Sequence, residues 1–141
     1  SYPKVKTTFV AGTFCHHPLA MASALKTVQL LKDSAPRLLA DLNMKTTEFR
    51  ERMNDYFTKK NLKIRIANFG SLFRFNTPGK SNMLYYQLVL NGVYIWEGRN
   101  CFFSTEHNDN IINEVEEKIK LSCEQLIEQG IIKQIKSTKN G

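Results

Sequence analysis

Lys63-Ile64-Arg65-Ile66-Ala67-Asn68-Phe69-Gly70-Ser71-Leu72-Phe73-Arg74-Phe75 is where the character of this chain changes. Apolar and polar residues alternate over 63–67 and again over 71–75, across Gly70. A period of two places every second side chain on one face, so both runs predict half-buried strands. What precedes them has a different period.

On the N-terminal side the pattern is helical twice. Pro18 stands where a helix can begin, because the N–H it lacks would be unpaired there. From Leu19 onward Met21, Ala24, Leu25, Val28 and Leu31 share a face, and the small residues Ala20, Ala22, Ser23 and Ala24 allow a neighbouring backbone to approach. Asp33-Ser34-Ala35-Pro36 predicts a stop and a restart, with Ser34 as N-cap and Pro36 in the first turn of a second helix. That helix carries Leu39, Leu42, Thr46, Phe49, Met53 and Tyr56 and ends near Lys59-Lys60-Asn61. It is too short for a coiled coil, so its stripe faces a core. Upstream of both, Thr7-Thr8-Phe9-Val10-Ala11 reads as a short entry strand that Gly12 breaks.

On the C-terminal side Pro78-Gly79 predicts a turn, followed by a short helix over 81–90 with Met83, Leu84, Leu88 and Val89 inward. Asn91-Gly92 ends it. Val93-Tyr94-Ile95-Trp96 and Cys101-Phe102-Phe103-Ser104 predict two more strands. A long amphipathic helix over 109–129 has Ile112, Val115, Ile119, Ser122 and Leu126 on one stripe, and Gly130 is a natural C-cap. The order predicts an α+β fold: a small, mainly antiparallel sheet covered by helices.

The bulk numbers agree with one globular unit. A chain of 141 residues with 42% hydrophobic residues buries a real core, which excludes disorder of the whole. No apolar run reaches the length of a membrane span and no signal peptide opens the chain, which reads as beginning in mid-protein. Three cysteines without a Cys-x-x-Cys pair suggest neither a zinc ribbon nor a disulfide framework; a reducing, cytoplasmic setting is expected. The net charge of +7 is scattered, with one cluster at Lys133, Lys136 and Lys139, and reads as a solvated surface with a basic tail.

Three places invite chemistry. Gly12-Thr13 feeds a helix N-terminus, where free N–H groups and the helix dipole favour an anion and a hydroxyl adds a donor; the same pair also serves as a plain turn and cap. Arg99 offers a planar fork suited to a substrate carboxylate, or is an exposed arginine in a glycine-containing bulge. Cys15-His16-His17 argues against a metal, since adjacent histidines in an extended segment point to opposite faces. His107 is expected at a helix start near Asp109, and Trp96 is expected to pack between the sheet and its neighbours or to line a substrate entrance.

Gly12-Thr13-Phe14-Cys15-His16-His17-Pro18-Leu19-Ala20-Met21-Ala22 resembles a segment of the class III pyridoxal-phosphate (PLP) aminotransferases, fold type I, in which Gly-Thr precedes a small-residue helix opening on Pro-Leu-Ala. Where that family most often has Gly-Asn before the proline, this chain has His16-His17. Gly92-Val93-Tyr94-Ile95-Trp96 and Phe103-Ser104-Thr105-Glu106-His107-Asn108-Asp109 resemble the family's final strand pair and the start of its last helix. The wording Trp96-Glu97-Gly98-Arg99-Asn100-Cys101 is similar to aminotransferase domains embedded in polyketide and nonribosomal peptide synthases, with glutamate-1-semialdehyde aminomutases next.

The resemblance implies that residues 1–17 are the edge of a PLP-binding large domain and 18–141 a C-terminal small domain. It implies that Gly12 and Thr13 bind the phosphate of the PLP held by the other subunit of a homodimer, and that Arg99 meets the substrate. The Schiff-base lysine and the partner of the ring nitrogen belong to an upstream large domain, so no catalytic residue is expected here and the isolated chain is expected to be inactive. The implied reaction moves an amino group from an amino acid to a carbonyl acceptor, in the synthase branch a β-keto acyl chain on an acidic acyl carrier protein. Neither nucleic acid nor membrane is an implied partner. Two other readings stay open: a non-catalytic basic α+β module stacking RNA bases on Phe73 and Phe75, although Leu72-Phe73-Arg74-Phe75 lacks the glycine–aromatic pattern of an RNA-recognition motif, and an interaction domain merely descended from an aminotransferase.

Overall fold

The computed structural model describes residues 12–15 and 17–135. The expected entry strand at 7–11 lies outside them, as does His16. The chain divides into two compact units, one ending at Leu39 and one beginning at Ala40.

The first unit is built on α1 (Pro18–Ser34). Pro18 takes the first helical position, and the ladder opens with Met21 N–H donating to the His17 carbonyl at 3.0 Å. No residue of α1 is buried, and Leu19, Met21, Leu25, Val28 and Leu30 stand exposed. The helix ends at Ala35, which is extended (φ −75°, ψ 148°) while its N–H still reaches the Leu31 carbonyl. A residue before proline is driven out of the helical region by the ring. Pro36 thus acts one position earlier than expected. Ser34 closes α1 instead of capping the next helix, and Pro36 precedes that helix, which starts at Arg37.

Helix α2 (Arg37–Lys59) carries its stripe into the second unit: Thr46, Phe49, Met53 and Phe57 are buried, with Leu42 and Tyr56 half-buried beside them. Leu39, expected on that stripe, is exposed. The Thr46 hydroxyl donates to the Leu42 carbonyl at 2.9 Å, which satisfies it inside the core.

The two runs flanking Gly70 form β1 (Arg65–Phe69) and β2 (Leu72–Asn76), paired antiparallel from Arg65 opposite Asn76 to Phe69 opposite Leu72. Gly70 has φ +58° in the two-residue turn, which glycine adopts without strain. A third strand, β3 (Cys101–Phe102), pairs antiparallel with β2 to give the order β1-β2-β3.

Ile66, Phe73, Phe75 and Phe103 fill one face of the sheet. There Phe49 meets Phe73 and Phe103 edge-on, with ring centres at 5.2 and 5.0 Å. Such ring pairs add about 0.5–1.5 kcal/mol each beyond their buried area. Arg65, Ala67, Phe69, Arg74, Asn76 and Phe102 stand exposed on the other face.

The strand expected at 93–96 does not form. Val93 N–H closes the end of α3 (Met83–Leu90) by donating to the Leu88 carbonyl at 2.8 Å, and the chain then runs irregularly to a turn at Glu97-Gly98. Val93 and Ile95 are half-buried while Tyr94 and Trp96 are exposed, so the alternation reports one-sided burial without a strand partner. In α3 the inward residues are Leu84, Tyr85 and Leu88. Met83 and Val89, expected inward, are exposed: one face of an eight-residue helix holds only the 84–85–88 set.

Helix α4 (Asp109–Glu128) is capped at both ends by sequence. The Asn108 side chain accepts from Ile111 N–H at 3.1 Å. Gly130 (φ +69°) donates to the Ile127 carbonyl and Ile131 to the Leu126 carbonyl, both at 2.9 Å, the paired bonds of a Schellman end. The expected α+β architecture is the one observed.

Candidate functional site

The Gly12-Thr13 loop belongs to the first unit. Cys15 N–H donates to the Gly12 carbonyl and His17 N–H to the Phe14 carbonyl, both at 3.1 Å, and these turns deliver the chain to α1. Thr13 is exposed. Gly12 has φ +153°, and a Cβ there would stand 3.0 Å from Cys15 Sγ, so a side chain would both strain and crowd the loop. His17 at the N-cap makes no side-chain cap bond, and the first turn of α1 holds no acid. The first N–H groups of α1 therefore lack a cap from the N-cap side chain, with no acid in the helix's own first turn. A glycine approach, a free hydroxyl and an uncapped helix start fit a phosphate.

Arg99 lies in the second unit, in the irregular segment between α3 and β3. Its N–H donates to the Trp96 carbonyl at 3.3 Å, and its guanidinium carbon stands 5.1 Å from the centre of the Trp96 ring. Trp96 is 70% exposed, not packed between sheet and helices as expected. With no strand at 93–96 to turn it inward, the indole lies on the surface as a platform for the arginine.

This segment is tied down by a residue that sequence reading did not single out. Glu97 accepts from Asn82 Nδ2 at 2.9 Å and from the Tyr86 hydroxyl on α3. The Tyr86 bond first, then the Asn82 bond, holds the Glu97 carboxyl below the ordinary glutamate range, and the same carboxylate raises the Tyr86 phenol. A signal did exist: Glu97 is the only acid between 61 and 105.

Beneath the segment lies an apolar cleft of about 240 Å³ bordered by Phe73, Trp96, Phe103, His107, Val115 and Ile119. His107 precedes the α4 cap; its Nδ1 accepts from Ser104 N–H at 3.0 Å, and its ring lies 5.3 Å from that of Phe103.

The cysteines are free thiols. Burial pushes Cys123 up to about 12 and also raises Cys101, so neither is an activated nucleophile. Among the described residues no three His, Cys, Asp or Glu stand together as a metal site, and no helix is long and apolar enough to cross a membrane.

No protein-family model matches the chain. Its fold matches that of a solved structure described as a transaminase with PLP bound, with a TM-score of 0.75 and 22% identity over 87% of this chain and 31% of that one. The small sheet and its helices thus share the fold of part of that transaminase. In sequence the chain is similar to two glutamate-1-semialdehyde 2,1-aminomutases. That of Sulfurisphaera tokodaii is 29% identical over 74% of this chain and 29% of its own length. That of Persephonella marina is 28% identical over 87% of this chain and 32% of its own.

Fold and relatives agree on the kind of protein this chain is similar to: part of a PLP-bound transaminase in fold, and part of glutamate-1-semialdehyde 2,1-aminomutases in sequence. Glutamate-1-semialdehyde 2,1-aminomutase 2 of Lachnoclostridium phytofermentans extends the likeness, at 32% identity over 48% of this chain. The match spans about a third of the length of the first two of these relatives and 16% of the third.

Proposed function

We propose that this chain forms the C-terminal part of a PLP-dependent aminotransferase that moves an amino group from an amino-acid donor to a carbonyl acceptor. The observation that carries this is the start of α1, where Gly12, exposed Thr13 and an uncapped helix N-terminus make an oxyanion cradle in a chain whose fold and relatives belong to PLP enzymes. In this reading the Thr13 hydroxyl and the first N–H groups of α1 hold the phosphate of the cofactor bound by the second subunit of a homodimer. PLP, when bound, supplies the electron sink that amino transfer requires. The attaching lysine and the ring-nitrogen partner come from the large domain. Arg99, braced on Trp96, presents its fork to a substrate carboxylate.

The finer reading places the enzyme in the synthase branch, in the cytoplasm, with a carrier-bound β-keto acyl chain as acceptor. The wording Trp96 to Cys101 supports it, and the net charge of +7 suits an acidic carrier protein. Glutamate-1-semialdehyde aminomutation is the second reading, favoured by the names of the sequence relatives. RNA stacking on Phe73 and Phe75 has no surface to use, since both rings are buried in the core.

The test is Thr13→Ala in the complete enzyme. Loss of one hydrogen bond to a charged phosphate is worth about 1.5–3 kcal/mol, so PLP retention after dialysis falls about tenfold or more. Unchanged retention contradicts the role of Thr13.

A further inference from the structure

The open face of the sheet has a charge arrangement unlike that of the helices. On α2, just past its end and on α4, cations meet acids: Arg52 with Glu116, Lys60 with Glu124, Lys118 with Glu114, Lys120 with Glu117. Between 61 and 105 the chain carries Lys63, Arg65, Arg74, Lys80 and Arg99 against the single acid Glu97, and that acid is taken up by Tyr86 and Asn82.

Arg74 stands at the middle of this face. It lies on β2, where its backbone pairs with β1, while β3 reaches only Leu72 and Phe73. Its cross-strand neighbour is Ala67, whose methyl leaves room beside the guanidinium. Arg74 is exposed and makes no ion pair or hydrogen bond with another described side chain. Around it lies a concavity of about 450 Å³ lined by Ala67, Arg74, Asn76, Thr77, Tyr85 and Gly98. No acid lines it. Asn76 and Thr77 add neutral donors. Gly98 has no atom within 4 Å of where a Cβ would be, which leaves that rim open.

We infer that Arg74, with Asn76 and Thr77, forms an oxyanion-binding subsite on the open face of the sheet. An unpaired guanidinium held on a strand, with no competing carboxylate, binds a carboxylate or phosphate through two parallel hydrogen bonds. Assigning that oxyanion to the substrate rests on the aminotransferase reading; the subsite itself does not. Its source is the carboxylate of the amino donor or the phosphate of a carrier-bound acceptor.

Trp96 is the only tryptophan and shares its segment with Gly98 of the pocket rim, so its fluorescence reports on the subsite without any turnover. The 141-residue chain is titrated with glutarate and, separately, with inorganic phosphate. A saturable fluorescence change is expected, tighter with glutarate if the site takes a carboxylate and tighter with phosphate if it takes a phosphate ester. Arg74→Ala weakens it about tenfold or more, and Arg74→Lys, which keeps the charge but loses the fork, falls between. Circular dichroism confirms the fold of each variant, and Arg74→Gln serves if the alanine variant does not fold. Saturation by neither probe, or Arg74 variants that bind as the wild type does, overturns the inference. Failure of the aminotransferase reading shows separately, as absence of amino transfer by the complete enzyme.

Discussion

Arg52 on α2 donates from both Nε and Nη2 to one carboxylate oxygen of Glu116 on α4, at 2.8 and 2.7 Å. Glu116 is only 5% exposed, whereas Arg52 keeps contact with solvent. The bond raises the arginine further above its already high range. Two helices far apart in sequence are thereby joined through an acid that lies among the apolar residues of α4. Removing one partner leaves the other with its desolvation cost uncompensated.

Arg52→Ala is accordingly expected to destabilise the fold by about 1–3 kcal/mol, more than a surface ion pair would suggest, because Glu116 is left buried and unpaired. Replacing both residues with apolar ones of similar size should recover much of the loss. Urea denaturation of the two single variants and the double variant measures this. An Arg52→Ala midpoint equal to that of the wild type would contradict it.

Glu97 gives the irregular segment an acid-sensitive fastening. Its carboxyl is lowered in the folded chain, chiefly by the Tyr86 hydroxyl and then by Asn82. A lowered folded value means that the fastening is fully present above the ordinary glutamate range, about 4.3, and is lost as pH falls through the folded value. Trp96 fluorescence should therefore change below the ordinary range on acidification. Tyr86→Phe removes the largest cause and should move that change to higher pH. An acid transition left in place by this variant would mean that the bond does not hold the segment.

Gly70 is constrained twice. Its φ of +58° is costly for any L side chain, and a Cβ there would stand 3.0 Å from Asn43 Oδ1 on α2. Gly70→Ala should cost about 1–3 kcal/mol. Adding Asn43→Ala should return only the steric share, leaving the backbone strain. A double variant as stable as the wild type would show that crowding alone forbids the side chain.

The sequence by itself determined those features whose cause is local. The period-two runs around Gly70 became β1 and β2, and the stripe from Thr46 to Met53 became the buried face of α2. Asn108 and Gly130 bounded α4 because capping uses only neighbouring backbone groups. The turn at Gly12-Thr13 and the helix start after it were legible for the same reason, since both lie within a few residues.

Tertiary structure alone decided where the alternation at 93–96 would go. The segment has the pattern of a strand, but a strand needs a partner, and β2 takes β3 instead. That choice exposes Trp96, sets Arg99 over its ring and makes Glu97 the fastening to α3. It also decided which cations found acids. The lysines and arginines of α2 and α4 meet acids across or along the helices, while Arg74, on the face of the sheet turned away from the core, meets none. Periodicity records which side of an element is apolar; pairing and charge neutralisation depend on what lies across from it, and that is set by contacts between residues distant in the chain.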